Sequence, residues 1–211
     1  DLEFEEGVFT VAGTDKTVTL TEVAKAAAER DDLPDDLAGP LEETGHYDSP
    51  DEMTYPNGCH VCELEVDAET ATLELIRYVV VDDFGKVVNP MLVSGQIHGG
   101  IAQGVGQALL EHTVYEADSG QLVTATYQDY TMPRADDLPE IEIEFVEVPC
   151  ITNPFGIKGA GEAGAIGAPP AVINALVDAL QPFGVAHIDM PATAEKIWQA
   201  MAATAPKEAA E

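Results

Sequence analysis

The sequence predicts an α+β fold, with helices interleaved among antiparallel-looking strands. Two patterns carry that reading. Residues 141–148 alternate strictly, Ile141, Ile143 and Phe145 against Glu142 and Glu144, as a half-buried strand does. Residues 92–112 instead repeat at helical spacing, with Ile97, Ile101, Val105, Ala108 and Leu109 on one stripe.

Taken in order, Val8–Val11 and 17–20 alternate around Gly13-Thr14-Asp15 and read as a hairpin. Thr19 or Thr21 can cap a following helix that carries Val23, Ala24, Ala27 and Ala28. Residues 31–58 hold Asp, Glu, Pro and Gly without a period and read as an exposed connection or boundary. Two strands follow at 61–66 and 73–81, joined by the polar turn at 67–70, and then the helix at 92–112. Residues 121–130 and 141–148 read as further strands. A long Gly/Pro loop covers 149–168, after which Pro169 or Pro170 starts a helix to about Leu180. Pro182 and Gly184 stop it, and a last helix carries Ile197, Trp198 and Met201, all read as core.

The 211 residues suffice for one large or two small domains. Acids number 39 against 9 bases, for a net charge of −30, yet 45% of residues are hydrophobic, as in ordinary globular chains. That surface repels phosphate backbones and anionic lipid heads, which argues against nucleic acid or membrane surfaces as partners. No charge-free apolar run reaches the length of a membrane span. The acids are spread along the whole chain, which suits either adaptation to high salt (a halophilic protein) or simply an acidic one. Three cysteines give no disulfide framework, so a reducing cytoplasm is expected. The chain begins at Asp1 without a signal-peptide pattern, and the expectation is a processed or excised piece of something longer.

Two glycine-rich segments carry chemistry. Residues 95–110 place several glycines inside a helix, each costing about 1 kcal/mol against alanine. Something must therefore pack close to that backbone: either a neighbouring strand, or a ligand beside Gln96, whose amide can donate hydrogen bonds. Residues 153–170 contain G-x-G-x-x-G at Gly159, Gly161 and Gly164. A dinucleotide fingerprint should follow a strand directly and open a helix, whereas here Pro154 and Gly156 precede it and Pro169-Pro170 follow. Glu162 would also oppose a pyrophosphate. Its small apolar neighbours suggest a carboxylate facing a confined cavity, where desolvation favours a general base. Lys158 would act the other way if it faces the same space.

At these residues the chain resembles the molybdenum-binding large subunit of the xanthine dehydrogenase, aldehyde oxidase and aerobic carbon monoxide dehydrogenase family. The resemblance rests on the helix at 95–109, on Asp129-Tyr130-Thr131-Met132-Pro133 and on Lys158-Gly159-Ala160-Gly161-Glu162. It rests also on Asp82, Gly85, Asn89 and Pro90, and on Met190-Pro191-Ala192-Thr193 before Ile197-Trp198. It spans roughly 55–203 and implies two ferredoxin-like repeats packed together, with 1–58 a partial N-terminal segment and 59–211 the molybdopterin-binding region. By the same resemblance Glu162 is the general base for oxidative hydroxylation of an aldehyde, an N-heterocycle or carbon monoxide. Gln96, Lys158, Gly159, Ala160 and Gly161 would contact molybdopterin, in its plain or cytosine dinucleotide form, with Gln103 a further candidate. Molybdenum would be held through the pterin dithiolene and not by side chains. Implied partners are the remaining half of the molybdenum subunit, iron–sulfur and flavin (FAD) subunits and a small-molecule substrate. The chain would then be the C-terminal part of that subunit, inactive alone. A metal-free assembly module that kept the fold, or a nucleotide-binding protein, are the alternatives.

Other motifs read as structural. Cys59-His60-Val61-Cys62 lacks the second ligand pair of a zinc site, since only Cys150 remains, and its His lies between the cysteines. His98 lies off the Gln96 face and reads as packing. The acidic run 31–36 reads as a solvated loop.

Overall fold

The computed structural model describes residues 1–34, 39, 42, 44–48 and 53–204. Much of the expected linker, including Asp35 and Asp36 of the acidic run, lies outside the described residues. The chain forms two compact units, Asp1–Ser49 and Pro50–Glu211.

The first unit is a three-stranded antiparallel sheet, β1 (Leu2–Glu5), β2 (Val8–Val11) and β3 (Thr17–Thr19), followed by α1 (Leu20–Glu29). The β2–β3 hairpin is the one expected, with Val8 opposite Thr19. Strand β1 was not expected. It joins β2 through Glu6-Gly7, both at positive φ (48° and 81°), the geometry of a tight two-residue hairpin turn. Thr19 is the cap: its hydroxyl accepts from the Glu22 amide, and the Glu22 carboxylate accepts from the Thr19 amide.

The second unit is built on a sheet ordered β4 (Asn57–Val66), β5 (Leu73–Asp83) and β6 (Ile141–Phe145). β4 and β5 form an antiparallel hairpin whose turn is fixed by Asp67 Oδ1, which accepts from the amides of Glu69 and Thr70. β6 pairs with β5 in parallel, so α2 (Pro90–Val105) makes the crossover that a parallel pair requires. Asn89 caps α2 by accepting from the Leu92 amide, and Pro90 occupies its first turn. A π-helical turn, Gly106–Leu110, ends it close to the expected limit. The apolar stripe foreseen for this helix, Ile97, Ile101, Val105, Ala108 and Leu109, is buried throughout.

The sequence reading fails at three places. No strand forms at 121–130. The Thr126 carbonyl accepts from the amides of Asp129 and Tyr130, and the Thr126 hydroxyl donates to Asp129. This local turn takes up the backbone that a ladder would need. The Tyr130 hydroxyl donates to Glu111, which docks the segment where α2 ends.

Helix α3 (Ala163–Ala179) starts well before the prolines, which lie inside it. Pro169 and Pro170 leave the carbonyls of Ala165 and Ile166 without helical partners, a local cost overridden by packing on α2. A β-carbon on Gly100 would stand 2.8 Å from the Ala165 nitrogen, and one on Gly164 2.6 Å from the Ile97 oxygen. The glycine helix is therefore tight against another helix, not against a strand. Its axis approaches α3 at Gly100 and Gly104, while Gly95 and Gly99 face open space.

The last helix, α4 (Ala194–Thr204), buries Ile197 and Met201 as expected but leaves Trp198 54% exposed. Trp198 directly follows Ile197, so burial of the one turns the other outward. Among the described residues no helix is long and apolar enough to cross a membrane.

Candidate functional site

The loop that follows β6 is tied down residue by residue. Gly156, at φ 68°, presents its carbonyl to the amides of Lys86 and Cys150, and the Asn153 side chain bridges both backbone groups of Ile157. The Lys158 amide donates to the Phe84 carbonyl at the end of β5. The Gly159 amide donates to the Thr54 hydroxyl, at 3.2 Å. The Gln96 side-chain amide, from the first turns of α2, donates to the Gly161 carbonyl at 2.9 Å. Glu162 then caps α3, its carbonyl accepting from the Ile166 amide. Residues far apart in sequence, Gln96, Gly159, Gly161 and Glu162, thus converge. Ala160 is partly buried against the core and anchors the loop between its two exposed glycines.

Lys158 behaves differently from its neighbours. Its ammonium forms an ion pair with Asp83 at 2.5 Å, with both side chains 11% exposed. Burial would raise the Asp83 carboxyl, but hydrogen bonds from Lys158 and from the amides of Gly85 and Val148 outweigh it and hold it below its ordinary value. The lysine charge is spent in this pair, so it does not face Glu162. The sequence had left open whether the two side chains share a space.

Glu162 is exposed, contrary to the confined setting foreseen for it. It stands at the edge of a cleft of about 470 Å³ lined also by Thr54, Tyr55, His60, Asp82, Gly159 and Gly161. β-carbons on Gly159 and Gly161 would meet nothing within 4 Å, so an occupant can approach this backbone closely.

The floor of the cleft holds side chains that the sequence reading did not bring to the site. Tyr78 and Asp82 lie on β5, two residues either side of Val80, which pairs with His60 of β4. The three polar groups therefore share one face of the sheet as diagonal neighbours. His60 Nδ1 is 2.8 Å from the Tyr78 hydroxyl, and Nε2 is 3.6 Å from Asp82 Oδ1. Burial pushes the Tyr78 phenol up, with the nearby Cys62 and Asp82 adding to it, so it stays protonated and can donate to Nδ1. The available signal was a polar residue at alternate positions closing the Val79-Val80-Val81 run.

The remaining motifs are quickly placed. Cys59 and Cys62 sit three apart on β4 and so point to opposite faces; they and Cys150 are free thiols. Burial pushes the Cys62 thiol up to about 11. His98 is exposed, with Nδ1 against the Ser94 carbonyl, and Gln103 is exposed on α2. Among the described residues no group of three or more His, Cys, Asp or Glu is arranged so that it could hold a metal ion.

Comparison with known proteins gives a consistent picture. A family model described as molybdopterin cofactor-binding domain matches residues 1–139. The chain is 37% identical over 202 residues to the nicotine 6-hydroxylase large subunit of Paenarthrobacter nicotinovorans, covering 95% of this chain and 24% of that protein. It is 35% identical over 202 residues to the carbon monoxide dehydrogenase large chain of Hydrogenophaga pseudoflava, covering 95% and 25%. Among solved structures, quinoline 2-oxidoreductase from Pseudomonas putida 86 superposes with a TM-score of 0.80 at 41% identity, over 96% of this chain and 26% of that one. The chain spans about a quarter of the length of the relatives it matches.

Proposed function

The chain belongs to the molybdopterin cofactor-binding family, and from that premise we propose that it is the C-terminal, base-bearing part of a molybdenum hydroxylase large subunit. The observation that carries the reading is that Gly159, Gly161 and Glu162 line one cleft, with Gln96 hydrogen-bonded to the Gly161 carbonyl. Two glycines with open space above them, a docked amide and a carboxylate suit a flat polar heterocycle.

Molybdopterin, plain or as the cytosine dinucleotide, supplies two-electron redox chemistry when bound. Gln96 and the backbone of Gly159, Ala160 and Gly161 would hold it. Gln96 spends one amide hydrogen on Gly161 and keeps a second hydrogen and its carbonyl oxygen for a ligand. Lys158 serves from behind, fixing the loop through Asp83. Glu162 takes up the proton released as substrate is oxidised, at an exposed carboxylate that can pass it on to water. The substrate would be a small molecule of the aldehyde, N-heterocycle or carbon monoxide kind. The partners would be the rest of the molybdenum subunit and iron–sulfur and flavin subunits. The two ferredoxin-like repeats also belong to this reading; an α+β arrangement with a parallel crossover supports it.

The nucleotide alternative has one point in its favour, since Gly164 does lie in the first turn of α3. But β6 ends at Phe145, and residues 146–158 intervene before the motif, so no strand leads into it.

The test is Glu162→Gln in the complete enzyme. Turnover is expected to fall by at least about 10²-fold with molybdenum content near wild type. Equal loss of metal and activity would show that Glu162 is structural.

A further inference from the structure

We propose that His60 is a positioning residue: braced between Tyr78 and Asp82, its ring sets where α3 begins and so where Glu162 stands. The proposal rests on the reading of Glu162 as the base.

The ring lies directly on the helix. A β-carbon on Gly167 would stand 2.6 Å from each of Cδ2, Cε1 and Nε2 of His60. Only glycine lets the first turns of α3 rest on that ring, and Glu162 caps the same turns. The His60 side chain is itself 7% exposed, held at Nδ1 by the Tyr78 hydroxyl at 2.8 Å, with Asp82 Oδ1 standing 3.6 Å from Nε2. The Tyr78 and His60 rings meet edge to face at 87°, which fixes the plane of the imidazole.

The second brace is built at a cost. Asp82 is 2% exposed, and its Oδ2 has no hydrogen-bond partner. Its Oδ1 lies over β4 where any side chain at Gly58 would collide, since a β-carbon there would be 1.8 Å away. A buried carboxylate with an unpartnered oxygen does not serve stability, and such groups persist where a site uses them. The arrangement stacks sheet, ring and helix, and it meets α3 at Gly167, about one and a half turns from the carboxylate at the cleft.

The experiment uses Gly167→Ala, which presses on the ring from the helix side, and His60→Ala, which removes the ring, both in the complete enzyme. Hydrogen exchange of the amides at 166–168, the first with helical acceptors, is measured by mass spectrometry, with kcat, KM and molybdenum content on the same preparations. Expected are exchange about tenfold faster and kcat lower by about 10- to 100-fold, with KM and metal content nearly unchanged. His60→Ala combined with Gly167→Ala makes room for the added methyl. The two effects should then be less than multiplicative. Unchanged exchange in both single variants overturns the proposal, as does a lower melting temperature with kcat unmoved. If Glu162→Gln keeps full turnover, the base reading fails on its own. The exchange data would still decide whether His60 sets the helix start.

Discussion

Two adjacent glycines on α2 offer a sharp test of the packing argument. A β-carbon on Gly100 would lie 2.8 Å from the Ala165 nitrogen and 2.9 Å from the Gly164 α-carbon, both backbone atoms. Ordinary contact begins near 3.4 Å, so α3 must retreat by about 0.6 Å over its first turns. Alanine at an interior helix position gains about 1 kcal/mol over glycine. Overpacking a close-packed interior costs about 1–3 kcal/mol, and the upper end applies where backbone must yield. Gly100→Ala should therefore lose about 2 kcal/mol net. At Gly99 a β-carbon would meet nothing within 4 Å, and Gly99→Ala should gain up to about 1 kcal/mol. Urea unfolding of the 211-residue chain, followed by circular dichroism, measures both. Shifts of the same sign and size would refute the idea that Gly100 exists for the α3 contact.

The ion pair behind the loop makes a signed prediction. Lys158→Met strands the buried Asp83 carboxylate and should cost about 3 kcal/mol, while Lys158→Met with Asp83→Asn should recover part of it. Because the folded Asp83 carboxyl lies below its ordinary 3.8, its stabilisation is complete above that pH and is lost as pH falls through the lower folded value. Acid unfolding should accordingly lose its Asp83 component in the Asp83→Asn variant. Alkylation by iodoacetamide at pH 8 should mark exposed Cys59 well before Cys62, whose buried thiol is pushed up to about 11; equal rates would contradict the opposite-face placement on β4.

What the sequence carried most plainly was whatever depends on neighbours along the chain. The turn at Asp67 and the apolar stripe of α2 stand where the residues placed them, and of the two caps offered, Thr19 and Thr21, the helix uses Thr19; all are set by local hydrogen bonds and by helical period. The convergence of Gln96 with 158–162 came from motif resemblance and not from spacing, since no local pattern links residues so far apart.

Where local signals competed with packing, packing won. Pro169 marks a helix start by its own geometry, but the small residues before it fit against Gly100 and Gly104, and that contact extends α3 by more than a turn. At 121–130 a strand was expected, but the Thr126 turn claimed the backbone. The lysine beside Glu162 was equally free, by sequence, to face the cleft or Asp83, and the end of β5 decided it. His60, Tyr78 and Asp82 became a unit only through strand register, because pairing His60 with Val80 puts residues from two strands on one face. The sequence by itself determined most of the elements, the acidic charge and, through the motif resemblance, the candidate base. Tertiary contact determined which polar groups stand together, because burial and register act between segments that share no local period.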